Sequence, residues 1–142
     1  MPVRFSEKTI KAGFLVTMPD WYGLHVSKIV KKATKKQDSF NYFVTFDVVE
    51  TRKGEEEQAK MLGVPITKMF NDKESADWTY LPLFAAVHGE IQPGVDYKFE
   101  DLQDITLEGL VKRGQRQDGS PMNDIVDFAP AGTNLGETQE EE

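Results

Sequence analysis

The chain contains no cysteine and only two histidines, His25 and His88. Without thiols there is no disulfide framework, no cysteine-based zinc or iron–sulfur centre and no thiol nucleophile. Two histidines so far apart in sequence do not make a compact histidine metal site. Long hydrophobic runs are missing too: nothing approaches the ~20 apolar residues of a membrane helix. The opening MPVRFSEKTIKAG has no apolar stretch of signal-peptide length. The expectation is a soluble protein of the cytoplasm, with no membrane partner. Motifs of catalysis and nucleotide binding are equally absent. There is no G-x-x-x-x-G-K-[ST] phosphate loop, no G-x-G-x-x-G, no H-E-x-x-H and no G-x-S-x-G elbow. No cofactor, metal or catalytic residue is therefore expected, and the chain is not read as an enzyme.

What is present is charge, unevenly distributed. The 142 residues, enough for one domain, carry a net charge of −7. That balance keeps a chain soluble and opposes a generally basic nucleic-acid binder. The acids are concentrated in Glu55, Glu56 and Glu57 and in Glu137, Glu140, Glu141 and Glu142. Leaving out those two runs brings the rest to neutrality. Between Trp21 and Gln37 the chain has Lys28, Lys31, Lys32, Lys35 and Lys36 and no acid.

Hydrophobic periodicity gives the elements. Residues 22–33 read as a long strand whose alternation slips near Ile29, the sequence mark of a β-bulge. Thr34 to Ser39 suits a hairpin loop. Residues 40–50 are the strongest strand, with Tyr42, Val44, Phe46 and Val48 on one face and Phe43, Thr45, Asp47 and Val49 on the other. A helical turn over Glu55–Leu62, ended by Gly63, leads to a third strand, Val64–Phe70. Trp78, Leu81, Phe84, Ala85 and His88 recur at helical spacing, and Pro82 predicts a short turn followed by a helix that holds Pro82 in its first turn and ends at Gly89. Residues 105–114 and Met122–Phe128 make two further strands around the hairpin signal Asp118-Gly119. Phe14 to Met18 is a candidate short strand before all of these. From Ala129 on, the composition predicts disorder.

Three strands, a helix and two strands are the order of the OB-fold, a five-stranded Greek-key barrel. The expected organisation is an OB-fold domain over residues 1–130 and an acidic disordered tail over 131–142. Trp78, Leu81 and Phe84 are expected to plug the barrel base. The chemistry on offer is that of a single-strand binder: cations that follow phosphates and aromatic faces that stack on bases. The candidate cations are Lys28, Lys31, Lys32, Lys35 and Lys36, then Arg52 and Lys68, then Lys112, Arg113 and Arg116 at the fourth hairpin. The candidate stacking residues are Phe40, Tyr42 and Phe43. In an OB-fold the first and fourth hairpin loops flank the ligand face, so both basic clusters are expected to rim one surface.

The stretch from Tyr22 to Pro130 resembles a bacteriophage family of single-stranded DNA-binding-like proteins. The likeness rests on Gly23-Leu24-His25-Val26 running into Lys31-Lys32-Ala33-Thr34-Lys35, and on Phe43 to Val49. It continues with Met69-Phe70, Trp78, Leu83, Phe84 and Gly89, and with Leu107-Glu108-Gly109, Gly119, Asn123, Ile125, Asp127, Phe128 and Pro130. It implies an OB-fold and sequence-tolerant binding of single-stranded DNA in phage replication or recombination, in the host cytoplasm. It also implies replication or recombination proteins as partners of the acidic tail. Exposed strand edges leave a homodimer open. Two other readings stand beside this one. One is an OB-fold protein–protein adaptor. The other is a metal-dependent nuclease using carboxylates such as Asp124 and Asp127.

Overall fold

Strict alternation over residues 40–50 places Tyr42, Val44, Phe46 and Val48 on one side of a strand, and in the computed structural model all four are buried. The structure describes residues 2–6, 10, 11 and 13–135. The elements are β1 (Asp20–Ala33), β2 (Phe40–Glu50), α1 (Glu56–Ala59), β3 (Pro65–Asn71), α2 (Asp77–His88), β4 (Thr106–Gln115) and β5 (Pro121–Pro130). The protein is mainly β. Its five strands form one antiparallel sheet in the order β3-β2-β1-β4-β5. β1 is the axle: its first half pairs with β4 and nearly its whole length with β2.

The phase slip in β1 is a bulge at Ser27. Val26 faces Phe46 and Lys28 faces Thr45, so Ser27 is the extra residue. Leu24 and Val26 point into the core before it, and Ile29 takes up the inward positions after it. Gly109 of β4 sits under the side chains of Leu24 and Ile125. A Cβ there would lie 2.5 Å from Leu24 Cδ1 and 3.0 Å from Ile125 Cγ2, so any larger residue requires these side chains to shift.

The expected closed barrel is not formed. Among the described residues β3 and β5 share no backbone ladder, and the sheet stays open between them. Side chains fill the seam instead. The Phe128 ring lies 5.7 Å from that of Phe46 and 6.5 Å from that of Phe70, while Lys68 Nζ reaches Asp124 Oδ1 at 3.0 Å. Rings placed between two edges hold them wider than the ~4.8 Å of a ladder.

Three further expectations are corrected. The segment 14–18 is not a strand. The Asn123 side chain binds it: Val16 N–H donates to Asn123 Oδ1 and Asn123 Nδ2 donates to Phe14 O, each at 2.8 Å. Helix α2 does not hold Pro82 in its first turn but runs through it from Asp77, after the 3-10 turn over Glu74–Ala76. Proline removes one bond, that to the Trp78 carbonyl near the helix start, and the buried Leu83 and Phe84 anchor the rest. Gly89 ends the helix in the left-handed region, φ 81°. Nor does order stop at Pro130. Glu108, 1% exposed, accepts hydrogen bonds from Asn134 N–H, Asn134 Nδ2 and Leu135 N–H at 2.8 to 3.0 Å, and Leu135 is buried. The rest of the expected tail, 136–142, lies outside the described residues. No helix among the described residues is long and apolar enough to cross a membrane.

Candidate nucleic-acid interface

Alternation along paired strands builds a surface row by row. On the outer face of β1, β2 and β3 the register gives three rows: Lys28, Thr45 and Thr67; Val30, Phe43 and Met69; Lys32, Asn41 and Asn71. The bulge at Ser27 is what turns Lys28 and Lys32 to this side. A shallow hollow of about 220 Å³ opens between Lys28, Val30, Lys32, Phe43, Thr45 and Thr67. Phe43 is half-buried at its centre, with Lys32 Nζ 5.6 Å from the ring centroid. Met69 is exposed beside it. Thr45 and Thr67 join their hydroxyls at 2.8 Å along one border.

The loop beyond these rows extends the positive charge. It closes without a glycine because Gln37 adopts φ 58°. Its one acid, Asp38, is taken up by Lys73 (3.1 Å) and the Thr34 hydroxyl (3.1 Å), which hold its carboxyl below the usual range. Lys35 and Lys36 stand exposed on the same loop. Lys28, Lys32, Lys35 and Lys36 have no carboxylate within ion-pair distance among the described residues.

The other sequence candidates divide differently. Lys31 is on the opposite side of the hairpin, 3.8 Å from Glu100 and 4.2 Å above the Phe40 ring. Phe40 is exposed there, away from the Phe43 rows. Tyr42 is 6% exposed and stacks on Phe99 with centroids 4.4 Å apart, so it belongs to the core and offers no face to a base. Arg52 is clamped by Asp20, with Nη2 to Oδ1 at 2.7 Å and Nε to Oδ2 at 3.1 Å. Burial pushes the Asp20 carboxyl up, but its bonds to Arg52, Trp21 N–H and Gln58 outweigh this and leave it below its ordinary value. Lys68 is occupied by Asp124.

The second basic cluster lies at the other end of β1, where Asp20 faces Val111. There Arg113 Nε donates to Val16 O and Arg116 Nη1 to Pro121 O. Lys112 is exposed opposite Asp124. The two clusters thus share no row of the sheet, and the face they were expected to rim is built by the first cluster alone.

Sequence reasoning missed Val30, Asn41, Thr67 and Met69. Alternation identifies an outward residue, but only the register brings Met69 beside Phe43. Among the described residues no three His, Asp or Glu side chains converge as metal ligands. No protein-family model matches the chain, and no curated protein sequence does either.

Proposed function

We propose that this chain is an OB-fold protein that binds single-stranded DNA on the outer face of β1, β2 and β3. The connectivity supports the fold reading. β1 is shared between β2 and β4, a helix separates β3 from β4, and β3 and β5 face each other across a side-chain seam. The observation that carries the binding reading is the set of four lysines without acidic partners around a half-buried phenylalanine. The fifth lysine of that cluster, Lys31, has a carboxylate within reach, Glu100 at 3.8 Å. Lys28 and Lys32 flank the Phe43 row and Lys35 and Lys36 continue the line, so phosphates would run along the lysines while a base covers Phe43. Val30 and Met69 on either side supply an apolar floor that discriminates little among bases. A role in DNA replication or recombination follows from the family resemblance and is proposed with it.

The test is fluorescence anisotropy of labelled oligo(dT) over a range of salt. Four phosphate contacts give a log K against log salt slope of about −3, at ~0.7 per contact for single strands. The Lys28→Glu, Lys32→Glu double variant should lose at least about tenfold in affinity, since two contacts disappear and two repulsions replace them. Its melting temperature should not move, because both side chains are exposed or at the surface. Salt-independent binding, or equal affinity in the variant, overturns the assignment of this face. Oligo(U) in parallel decides between DNA and RNA.

A further inference from the structure

Helix α2 packs with Leu83 and Phe84 beneath the sheet, yet it turns Trp78 and Leu81 to the outside. Trp78 is 73% exposed. An indole left so open costs hydration free energy with no return inside the monomer. Beside it a groove of about 690 Å³ runs between α2 and the 91–98 loop. Its floor is aromatic and ordered. Tyr80 and Phe84 pack edge-on against Phe99, and Tyr97 lies 6.1 Å from Phe84. Ile91 and the exposed Val95 continue the apolar lining. Asp72, Glu74, Asp77 and Glu100 also line it, with Lys98 the one basic residue.

Charge decides the occupant. Glu100 is shared with Lys31, but Asp72, Glu74 and Asp77 outnumber Lys98 around the apolar floor, and they repel nucleic acid and anionic lipid surfaces. They favour a cationic chain that brings an apolar side chain with it. Tyr42 lines this groove while its neighbours Asn41 and Phe43 face the other way, so the sheet separates it from the lysine face. We infer that the α2 groove is a docking site for a basic segment of a partner protein. Lysine or arginine side chains would meet Glu74 and Asp77, and an aliphatic or aromatic anchor would lie against Trp78. The inference does not rest on the nucleic-acid reading. A chain with one face for a polyanion and another for a polycation could hold both together.

The experiment uses the full chain and a short fluorescein-labelled peptide of alternating lysine and leucine, with the glutamate–leucine peptide as control. A chain ending at Leu135 is run in parallel, so that attraction to the terminal glutamates is separated from the groove. The lysine peptide should bind both chains and the glutamate peptide neither. Trp78→Ala and the Glu74→Lys, Asp77→Lys pair should each weaken binding roughly tenfold, as expected for a central aromatic anchor and its charged rim. All three side chains are exposed, so the fold should be retained and oligo(dT) affinity unchanged in Trp78→Ala. Absence of lysine-peptide binding overturns the proposal. Binding that ignores Trp78, or that vanishes on removing residues 136–142, overturns it too. Light scattering gives a further check: concentration-dependent self-association abolished by Trp78→Ala would make a second copy the occupant and overturn the partner assignment.

Discussion

Tyr42 and Phe43 are adjacent in sequence and opposite in consequence, because a strand sends neighbours to opposite faces. Tyr42 stacks on Phe99 inside; Phe43 is half-buried outside. Alanine at Tyr42 should cost about 3–5 kcal/mol of stability, the range for deleting a large buried ring, as read by denaturant unfolding. Alanine at Phe43 should mainly weaken oligo(dT) binding, by about 1–3 kcal/mol for one lost stacking partner. Tyr22 gives a different kind of test. Its ring is fully buried and its hydroxyl has no hydrogen-bond partner among the described residues. Burial, with the Asp20 carboxylate adding to it, pushes the phenol from 10.0 up to about 12. Below pH 10 both folded and unfolded chains keep the proton. Between pH 10 and about 12 the unfolded chain releases it first, so folding stability falls as pH rises through this window. Tyr22→Phe should remove that part of the alkaline loss in pH-dependent unfolding. At neutral pH it should be neutral or stabilising by about 1 kcal/mol, since an unpaired polar atom is no longer buried.

At the scale of elements, legibility followed local periodicity and failed where partners are remote. β2 could be read because its alternation is unbroken through Val48, and the slip in β1 announced a bulge within two residues of Ser27. The bulge also decides the site, since it turns Lys28 and Lys32 to the outer face and leaves Lys31 on the other, and a run of lysines does not reveal this by composition. Helix α2 was misread for a different reason. DWTYLPLFAAVH is apolar nearly all round, so Trp78, Leu81 and Phe84 are as good a helical stripe as Tyr80, Leu83, Phe84 and Val87. Packing chose the second. Arg52 and Lys68 looked available because Asp20 and Asp124 lie 32 and 56 residues away. β4 hid its role likewise: Glu108 reads as a surface residue between Leu107 and Gly109, yet it holds the backbone of Asn134 and Leu135. Glu108→Gln turns an acceptor for three donors into a group that carries donors of its own. It should cost about 2 kcal/mol and speed hydrogen exchange at the Leu135 amide, with cleavage after Pro130 by added protease rising in step.

For the whole molecule, binding a polyanion with a net charge of −7 requires that the charges be sorted in space. They are: lysines without acidic partners gather on the first hairpin and the outer sheet, and carboxylates line the α2 groove on the other side. The last seven residues add four glutamates and only neutral residues besides, so removing them changes the net charge to −3. If the lysine face binds a phosphate backbone as proposed, these charges oppose it by repulsion and by competition for the lysines. The chain ending at Leu135 should therefore bind oligo(dT) more tightly than the full chain, with the gap widest at low salt. The gap should close as salt rises, because the screening length shrinks from about 10 Å at 0.1 M to about 3 Å at 1 M. A stacking contribution from Phe43 survives that screening, so the two chains should converge on the same residual affinity, and Phe43→Ala should lower that residual in both. Parallel salt titrations of the two chains measure this directly. A gap that stays constant with salt would mean that the terminal residues act through contact rather than charge.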